Sequence, residues 1–527
     1  MSQLRSLVFL LALSAGVSAS IGPGAVLPIV NKKIAPDGFL RQTTLAGGTH
    51  PGPVIRGQKN AEFTIDVVDL LTDKTLDLAT SIHWHGLLQK NSNYEDGATS
   101  VTQCPLVPAE SFTYDFKALD QAGTFWYHSH FGGQYCDGLR GAFIVEDPND
   151  PQKSLYDVDN DNTIISLSDW YHYLSTSPPA IPAFNSTLIN GKGRYVGGPQ
   201  NAPLAVVSVT KGTRYRFRLI SMSCDPSFVF SIDGHQFTVI EVEGTNVQPL
   251  LVDSIELFAG QRYSVVFKAD QPIGNYWIRA LPKVSTRILD FSDHTNVAIL
   301  RYSGASIADP SADPNVNIPV SQLPLVETNL HPLVATPVPG LPQPGGADIN
   351  INLDVGFTSL PNGFQFSING FPFEPPTVPV LLQILSGAQK ASDLLPAGTV
   401  YGLDANKSVE ITIPGGATGG PHPMHLHGHA FWVVRGAGNS SYNFVDPIVR
   451  DVVSIGNTGD NVTIRFFTDN PGPWFLHCHI DWHLANGFAV VFAEDVPDTS
   501  AAFTGSISAA WKNLCPVYNT WANLTGH

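Results

Sequence analysis

Basic residues are scarce in this chain of 527 residues, which has 29 Lys and Arg against 45 Asp and Glu. The formal net charge of −16 disfavours nucleic acids and anionic membrane surfaces as partners, because both repel an acidic protein. After residue 19, no segment is long and apolar enough to span a membrane. The composition therefore predicts a soluble protein that binds neither nucleic acid nor membrane, and we expect it to be a monomer.

Segments with a clear helical period are also few. Short runs rich in Val, Ile, Phe and Thr dominate instead, separated by turns that draw on 47 Gly and 41 Pro. This pattern predicts antiparallel β domains. A chain of this length is too long for one hydrophobic core and predicts three domains. We place them at residues 20–150, 151–320 and 321–527, with an extended linker over 308–345, where nine prolines fall.

One short motif recurs in each of the three predicted domains. Residues 123–130 read GTFWYHSH, residues 274–280 read GNYWIRA, and residues 472–479 read GPWFLHCH. This is an internal repeat with a long period. The middle copy has no histidine, so the second domain is predicted to be a spacer without a metal site of its own.

The N-terminus carries a targeting signal. An apolar stretch from Leu7 to Leu13 follows a single Arg and precedes small residues that end at Ala19. This order is typical of a secretory signal peptide, which we assign to residues 1–19. Five N-x-S/T sequons agree with secretion, and they predict glycosylation at Asn185, Asn406, Asn439, Asn461 and Asn523. We therefore expect a secreted, extracellular glycoprotein.

The most informative stretch is HCHIDWH at residues 477–483, which ends a buried strand predicted from the apolar run WFLHCH. Side chains alternate along a strand, so Cys478 points to one side and the two flanking histidines point to the other. A thiolate from Cys478 and an imidazole from His483 belong to the His2Cys ligand set of a blue-copper centre, which His422 completes. The flanking histidines are left for a second metal cluster behind it.

Histidines also occur in four His-x-His pairs, and on a strand both imidazoles of a pair share one face. The pairs are His83/His85, His128/His130, His425/His427 and His477/His479. Eight imidazoles from the two outer domains are expected to converge at the interface between them, and they suit three copper ions. A single pair would fit a zinc site or buried structural histidines equally well. Four pairs, one with an embedded cysteine, favour the copper centre.

Cysteine is scarce, with five residues in the whole chain. In a secreted protein this odd number predicts two disulfides and one leftover thiol, which is Cys478 if that residue binds metal. The other four cysteines allow three pairings, and spacing alone does not choose among them.

Four motifs resemble those of the multicopper oxidases and, within that family, of the fungal laccases: HWHGLLQ, HSHFGGQYCDGLRG, HPMHLHGHAF and HCHIDWHLANGF. The resemblance covers essentially the whole mature chain. It implies an all-β fold of three consecutive cupredoxin-like Greek-key β-barrel domains with few short helices. It also implies oxidation of phenols and related aromatic donors by one-electron steps and reduction of O2 to two waters, chemistry that serves lignin degradation, pigment formation and detoxification alike.

The resemblance further implies four copper ions and divides the ligands among three kinds of site. It assigns the type 1 copper to His422, Cys478 and His483, the type 2 copper to His83 and His425, and the type 3 pair to His85, His128, His130, His427, His477 and His479. It pairs Cys104 with Cys515 and Cys136 with Cys224.

Three further residues take roles from the resemblance. Asp225 resembles a carboxylate that contacts phenolic substrates, although an acid beside a proline is often simply a turn former. Asp96 resembles an acid near the trinuclear site that helps to move protons. Phe488 stands at the axial position of the type 1 copper, where it donates no lone pair. The chain departs from related laccases at Ala485 and Asn486, a stretch that often carries an acid.

Alternative functions remain open at this point. A ferroxidase or an ascorbate oxidase would use the same scaffold, but a ferroxidase is expected to place several acids around His422 and His483. A copper store is a different class of protein and is expected to be rich in Met or Cys. With three Met in the chain, the sequence disfavours a store.

Overall fold

The computed structural model describes residues 20–284, 287–288, 294–315, 318–361, 363–503 and 505–526. The predicted signal peptide, residues 1–19, lies outside the described residues, as does His527.

The first domain consists of two four-stranded sheets. Its strands are β1 (Gly24–Ile34), β2 (Arg41–Ala46), β3 (Gly52–Gln58), β4 (Glu62–Leu70), β5 (Ile82–His85), β6 (Ser111–Lys117), β7 (Gly123–Ser129) and β8 (Arg140–Glu146). One sheet has the order β2-β1-β4-β6 and the other has the order β3-β8-β7-β5.

The second domain repeats the two-sheet arrangement with more strands. They are β9 (Ile164–Trp170), β10 (Ser186–Ile189), β11 (Val206–Val209), β12 (Arg214–Ser221), β13 (Ser227–Ile232), β14 (Phe237–Val242), β15 (Thr245–Val252), β16 (Ser254–Leu257), β17 (Arg262–Lys268), β18 (Asn275–Val284), β19 (Arg287–Ile288) and β20 (Val297–Tyr302). The sheet orders are β10-β9-β12-β17-β14-β15 and β11-β20-β18-β13-β16, with β19 paired to β18.

The third domain has two five-stranded sheets and a separate hairpin. Its strands are β21 (Ile349–Asn352), β22 (Val355–Leu360), β23 (Gly363–Ile368), β24 (Val400–Leu403), β25 (Ser408–Pro414), β26 (Pro423–Leu426), β27 (Phe431–Arg435), β28 (Val449–Arg450), β29 (Val452–Ser454), β30 (Asn461–Phe467), β31 (Gly472–Cys478) and β32 (Ala489–Glu494). The sheet orders are β21-β25-β30-β27-β28 and β24-β32-β31-β26-β29, and β22 pairs with β23 in a two-stranded sheet.

The repeated sequence motif occupies the same place in each domain, on β7, β18 and β31. Each of these strands has one antiparallel neighbour that itself pairs in parallel with a third strand: β8 with β3, β20 with β11, and β32 with β24. On its other side, each of the three motif strands has a second antiparallel neighbour: β5 beside β7, β13 beside β18 and β26 beside β31. One domain topology is therefore used three times, and the predicted all-β class with cupredoxin-like domains is confirmed.

Helices are few among the described residues, as predicted. The α-helices are α1 (Val380–Leu385), α2 (Asp481–Leu484), α3 (Val496–Phe503) and α4 (Ala509–Thr525), and the 3-10 helices are Asn93–Glu95, Lys153–Leu155, Asp161–Thr163, Glu327–Asn329 and Ala391–Asp393. The last helix begins at Ser508, whose side chain accepts a hydrogen bond from the Trp511 N–H. Its apolar face packs on the first domain.

Burial differs between the strands that face solvent and those that position the metal centre. Alternate residues of β4 and β6 are buried, which fits a sheet with one face in solvent. Every residue of β7 and β31 is buried, so both faces of these strands are covered. The buried strand predicted from WFLHCH is thereby confirmed. No helix in the described part of the chain is long and apolar enough to cross a membrane.

Candidate metal centre

The four His-x-His pairs lie at the ends of four strands from the outer domains. His83 on β5 is directly opposite His128 on β7, and His425 on β26 is directly opposite His477 on β31. The second histidine of each pair ends the strand or follows it within two residues. Two equivalent strand pairs, one from each outer domain, therefore present their imidazoles to each other.

The eight imidazoles form three groups whose ligand nitrogens lie within 4.8 Å of one another. The groups are His83, His85 and His425; His85, His128 and His479; and His130, His427 and His477. Each group joins residues of the first and third domains. The closest approaches are 3.0 Å between Nε2 of His427 and Nε2 of His477, and 3.1 Å between Nδ1 of His85 and Nε2 of His479. No group found among the described residues includes a residue of the second domain.

The nitrogens that face away from the cluster are held by protein oxygens. Main-chain carbonyls lie 2.8–2.9 Å from Nδ1 of these imidazoles: Asp96 O for His83, Ser129 O for His128, Asp451 O for His425 and Cys478 O for His477. A hydrogen bond at one ring nitrogen fixes the tautomer and leaves the other nitrogen with a lone pair. The rings are therefore oriented as metal ligands.

The inward nitrogens fit a metal cluster. Among the eight paired imidazoles, buried Nε2 atoms without a hydrogen-bond partner occur on His83, His128, His130 and His425. Buried polar atoms are seldom left without a partner unless a ligand or ion takes that place. This convergence of neutral nitrogen donors is the chemistry that copper ions prefer.

Burial also holds these imidazoles in the neutral form that binds metal. It lowers the pKa of His130 to about 3, with a further contribution from His83. It lowers the pKa of His128, His427 and His479 well below the usual value, and neighbouring imidazoles add to the effect. A positive charge on any of these rings is disfavoured both by desolvation and by its neighbours.

A second site lies on the other face of β31. The Cys478 sulfur is 3.7 Å from Nδ1 of His422 and 3.7 Å from Nδ1 of His483, and the two nitrogens are 3.1 Å apart. Cys478 is the one free cysteine among the described residues, and it is buried. Burial raises the pKa of its thiol, so a bound cation is what would favour the thiolate. His483 is on α2 and is 8% exposed.

The acid Asp96 lies against the histidine cluster. Its Oδ2 is 2.9 Å from Nδ1 of His427, and its Oδ1 is 3.3 Å from Nδ1 of His83. Asp96 is 1% exposed. It therefore contacts two of the candidate ligands directly.

The acid Asp225 lies on the side of the second site and is half-buried. Its main-chain N–H donates to Oδ2 of Asp169 at 3.0 Å. The same oxygen accepts from the Tyr171 hydroxyl at 2.6 Å, and that hydroxyl accepts from Trp482 Nε1 at 3.0 Å. Burial and the charge of Asp169 raise the pKa of Asp225 to about 7. A hydrogen-bonded chain thus links the turn that carries Asp225 to the residue before His483.

A cavity of about 280 Å³ reaches the histidine cluster from the outside. Its lining includes His130, His477, Phe475, Asp481 and Ala485. Burial and the charge of Asp169 raise the pKa of Asp481 to about 8. An acid is therefore present in this cavity although Ala485 has none.

Four histidines outside the metal cluster have other polar partners. His172 contacts Asp37, His235 contacts the Tyr302 hydroxyl and His331 contacts Asp446. His429 lies 3.0 Å from Glu494. These histidines have polar partners outside the metal cluster.

The two disulfides are Cys104–Cys515 and Cys136–Cys224. The first joins α4 to the first domain, and the second joins the first domain to the second. Among the predicted glycosylation sites, Asn185, Asn406 and Asn523 are exposed, whereas Asn439 and Asn461 are half-buried.

Two residues at the metal centre escaped the sequence analysis. The carboxylate of Asp451 contacts the cluster, since its Oδ1 lies 3.1 Å from Nε2 of His85. Arg262 forms an ion pair with Asp451. Neither residue has a motif or a spacing that marks it. Arg262 begins strand β17, so this ion pair joins the second domain to the third.

Comparisons with known proteins agree with this geometry. Three family models described as multicopper oxidase match residues 29–150, 161–305 and 373–498. Laccase-2 of Trametes villosa is 56% identical over 97% of this chain and 96% of its own length. The laccase of Phlebia radiata is 55% identical over 98% of both chains.

Solved structures extend the comparison to the fold. The crystal structure of laccase from Botrytis aclada has a TM-score of 0.81 and 31% identity, covering 95% of this chain and 92% of that chain. The structure of Fet3p, a multicopper oxidase that functions in iron import, has a TM-score of 0.80 and 27% identity, covering 94% and 95%. On the strength of the family models and these relatives, the chain belongs to the multicopper oxidase family.

Proposed function

We propose that this protein is a laccase, which oxidises phenols and related aromatic donors by one-electron steps and reduces O2 to two waters. The observation that carries the proposal is the position of Cys478. Its thiol faces His422 and His483, whereas the residues on either side of it in sequence face the other imidazoles. Relatives named laccase at 54–56% identity over nearly the whole chain support the same activity.

We assign the candidate ligands to three kinds of copper site. The type 1 copper would be held by His422, Cys478 and His483. The type 2 copper would be held by His83 and His425. The type 3 pair would be held by His85, His128 and His479 on one side and by His130, His427 and His477 on the other. Bound copper supplies one-electron redox chemistry and, with four ions, the capacity to give O2 the four electrons that its reduction to water requires.

The chain itself supplies the connection between the two sites. Cys478 is joined through its peptide bonds to His477 and His479, so few covalent bonds separate the thiol from the imidazoles of the trinuclear group. Each phenol gives one electron, and O2 needs four electrons to become two waters. The proposed reaction therefore oxidises four phenol molecules to radicals for each O2.

The donor is proposed to bind beside His483. Two rings of β23 lie against this imidazole, with centroids 4.6 Å away for Phe366 and 5.9 Å away for Phe364. Phe357 on β22 stacks on Phe364 at 6.1 Å and is 37% exposed. The β22–β23 hairpin therefore offers an apolar wall on which an aromatic donor can rest.

Asp225 is proposed to handle the phenolic proton. A phenol loses a proton as it loses an electron, and a carboxylate within reach can accept the proton or hold the hydroxyl. The pKa of about 7 means that the group is neutral in acid and charged above that pH. On the oxygen side, Asp96 is proposed to move protons, because it contacts both His83 and His427.

A ferroxidase or an ascorbate oxidase is the alternative on the same scaffold. Fet3p, a multicopper oxidase that functions in iron import, shares 27% identity with this chain, roughly half the identity of the relatives named laccase. The laccase proposal is therefore the better supported of the two. Rates of Fe2+ oxidation against phenol oxidation by one preparation separate them.

Several expectations stay predictions. These are secretion with removal of residues 1–19, glycosylation of the five sequons, a monomeric state, and domain boundaries at 20–150, 151–320 and 321–527. The family models, which match 29–150, 161–305 and 373–498, support a division of this kind.

Cys478→Ser tests the proposal. We expect the intense blue thiolate-to-copper absorption and phenol oxidation to disappear, because serine cannot supply the sulfur. The histidines of the trinuclear group should still bind copper. An intense blue band in the variant would contradict the assignment.

A further inference from the structure

The carboxylate of Asp451 touches two of the candidate trinuclear ligands. Its Oδ1 lies 3.1 Å from Nε2 of His85 and 3.5 Å from Nδ1 of His425. The main-chain carbonyl of Asp451 also accepts from Nδ1 of His425 at 2.9 Å. One residue of the third domain thus contacts an imidazole from the first domain and one from its own domain.

Arg262 of the second domain holds that carboxylate with two parallel hydrogen bonds. Its Nη1 donates to Oδ1 of Asp451 at 2.6 Å, and its Nη2 donates to Oδ2 at 2.6 Å. The guanidinium is itself anchored, since Nε donates to Thr124 O at 3.0 Å and Nη1 to Gly260 O at 3.1 Å. Arg262 is fully buried, so the pair is screened little by solvent and its geometry is fixed.

The backbone of the second domain also lies close to the candidate ligands near Arg262. Gly260 has a φ of +86°, and a Cβ there would lie 3.0 Å from Cε1 of His85 and 3.1 Å from Cδ2 of His479. A Cβ at Gly86 would clash with the Arg262 guanidinium and lie 2.9 Å from Oδ2 of Asp451. Only small residues fit between the second domain and the imidazoles, which keeps Arg262 close to the cluster.

The orientation of His85 depends on this contact. Its Nε2 faces Asp451, so its Nδ1 is the nitrogen that faces His479, at 3.1 Å. In contrast, His83, His128 and His425 have Nδ1 on a carbonyl and Nε2 directed inward. A partner on one ring nitrogen decides which nitrogen is left for a metal. His85 therefore leaves the opposite nitrogen, Nδ1, for a metal, because its carboxylate partner lies on Nε2.

We propose that Arg262, from the domain that contributes no ligand, is a positioning residue of the trinuclear centre: it fixes the Asp451 carboxylate against His85 and so presents Nδ1 of His85 to the metal. This inference rests on the copper assignment proposed above. Removing the guanidinium leaves a buried carboxylate without its fixed partner, free to turn away from His85. The loss should be confined to the trinuclear centre, because the contacts of Arg262 lie on that side of β31.

The test compares Arg262→Lys with Arg218→Lys. Lysine keeps the charge but cannot form the two parallel bonds. Arg218 is a matched control, since it is 1% exposed, makes two bonds to Asp159 at 2.8 and 2.7 Å, and bridges to the first domain through Thr124 Oγ1 at 2.9 Å. It contacts none of the candidate ligands.

The readouts are copper per chain, the blue absorption of the type 1 site, and the electron paramagnetic resonance signal of the type 2 copper. We expect Arg262→Lys to keep the blue band and to lose at least half of the remaining copper, with an altered type 2 signal. The control should keep all three. Full copper with an unchanged type 2 signal in Arg262→Lys, or equal loss of both sites in both variants, would overturn the proposal.

A second variant covers the case in which Arg262→Lys does not fold. Arg262→Gln with Asp451→Asn removes both charges together, so no unpaired charge is buried. It should also keep the blue band and lose copper from the trinuclear centre, since a neutral amide pair does not fix the contact to His85. Retention of wild-type copper and signals in this variant would also overturn the proposal. If the wild-type protein itself holds no blue copper, the proposed function fails instead.

Discussion

Phe488 stacks face to face on Phe366, with ring centroids 4.8 Å apart and an interplanar angle of 17°. Phe488 is fully buried, and its ring lies 5.0 Å from that of His422. Its main-chain carbonyl accepts from the Cys478 N–H at 3.1 Å. The side chain therefore closes one side of the candidate type 1 site with an apolar ring.

Phe488→Met should lower the potential of the type 1 copper. Phenylalanine donates no lone pair, whereas a thioether at this place can ligate weakly and favour Cu(II). We expect a shift of about 100 mV, which corresponds to about 2.3 kcal/mol per electron. Redox titration of the blue band measures it, with Phe492→Met as the control, since Phe492 is equally buried on β32. An unchanged or higher potential with copper content intact would remove Phe488 from the axial environment.

Asp225→Asn should impair phenols far more than a non-phenolic electron donor. The amide keeps the size of the side chain but cannot accept the phenolic proton. We expect a loss of roughly a hundredfold in kcat/KM for a phenol, the lower end of the range for a positioned acid or base. Steady-state kinetics on both donors measure the effect. Equal losses on both would make Asp225 a structural residue of its turn.

The pH profile of the wild type offers a separate check on Asp225. Its pKa of about 7 means that the carboxylate form, which accepts the proton, grows as the pH rises toward 7. The rate with a phenol divided by the rate with a non-phenolic donor should therefore rise with pH through that value and level off above it. In Asp225→Asn the ratio should lose most of this rise. A ratio independent of pH in the wild type would argue against proton transfer to this group.

Asp69 should make the first domain less stable at high pH. It is fully buried, its Oδ1 accepts from the Leu71 N–H at 2.9 Å, and burial raises its pKa to about 7. Between the unfolded value of about 4 and this value, the native state binds a proton that the unfolded state releases, so stability falls as pH rises. Relative to the wild type, Asp69→Asn should gain roughly 2–4 kcal/mol between pH 4 and pH 8.

Thermal unfolding of both proteins at several pH values measures this difference. Asp66→Asn on the same strand is the control, because Asp66 is half-buried and bonds to the Thr113 hydroxyl. A difference between wild type and Asp69→Asn that does not change with pH would contradict the prediction.

The Cys104–Cys515 disulfide should hold α4 on the first domain. The helix buries Trp511 and Leu514 against that domain, and the bridge closes a loop with a sequence separation of 411 residues. Replacing both cysteines by serine should cost on the order of 2–5 kcal/mol. Denaturant unfolding measures the cost. Peptide mapping without reduction should recover this pair and Cys136–Cys224, and any other pairing would contradict the structure.

The sequence predicted the local parts of the centre and missed the parts that join distant segments. The histidine pairs could be found because spacing along a strand decides which side chains share a face, and Cys478 because it is embedded in one pair. The Arg262–Asp451 pair could not be found, since 189 residues separate its members and neither belongs to a motif. The full length of α4 depends on packing against the first domain, which local propensity does not encode.

The topology was predicted in part for the same reason. The recurrence of the motif on β7, β18 and β31 revealed three equivalent domains, because each copy fills the equivalent strand of its domain. The order of strands within each sheet has no local signature and required the structure. The β22–β23 hairpin beside His483 is likewise a feature that the sequence analysis did not separate from the third domain.

The central claim is tested most directly by oxygen uptake of the purified, copper-loaded protein with a phenol. We expect a blue protein that consumes O2 only when the donor is present, with about four donor molecules oxidised to radicals for each O2 and no accumulation of hydrogen peroxide. Consumption of O2 with about two donor molecules oxidised and peroxide released, or no phenol-dependent uptake by the blue, fully loaded protein, would contradict the account.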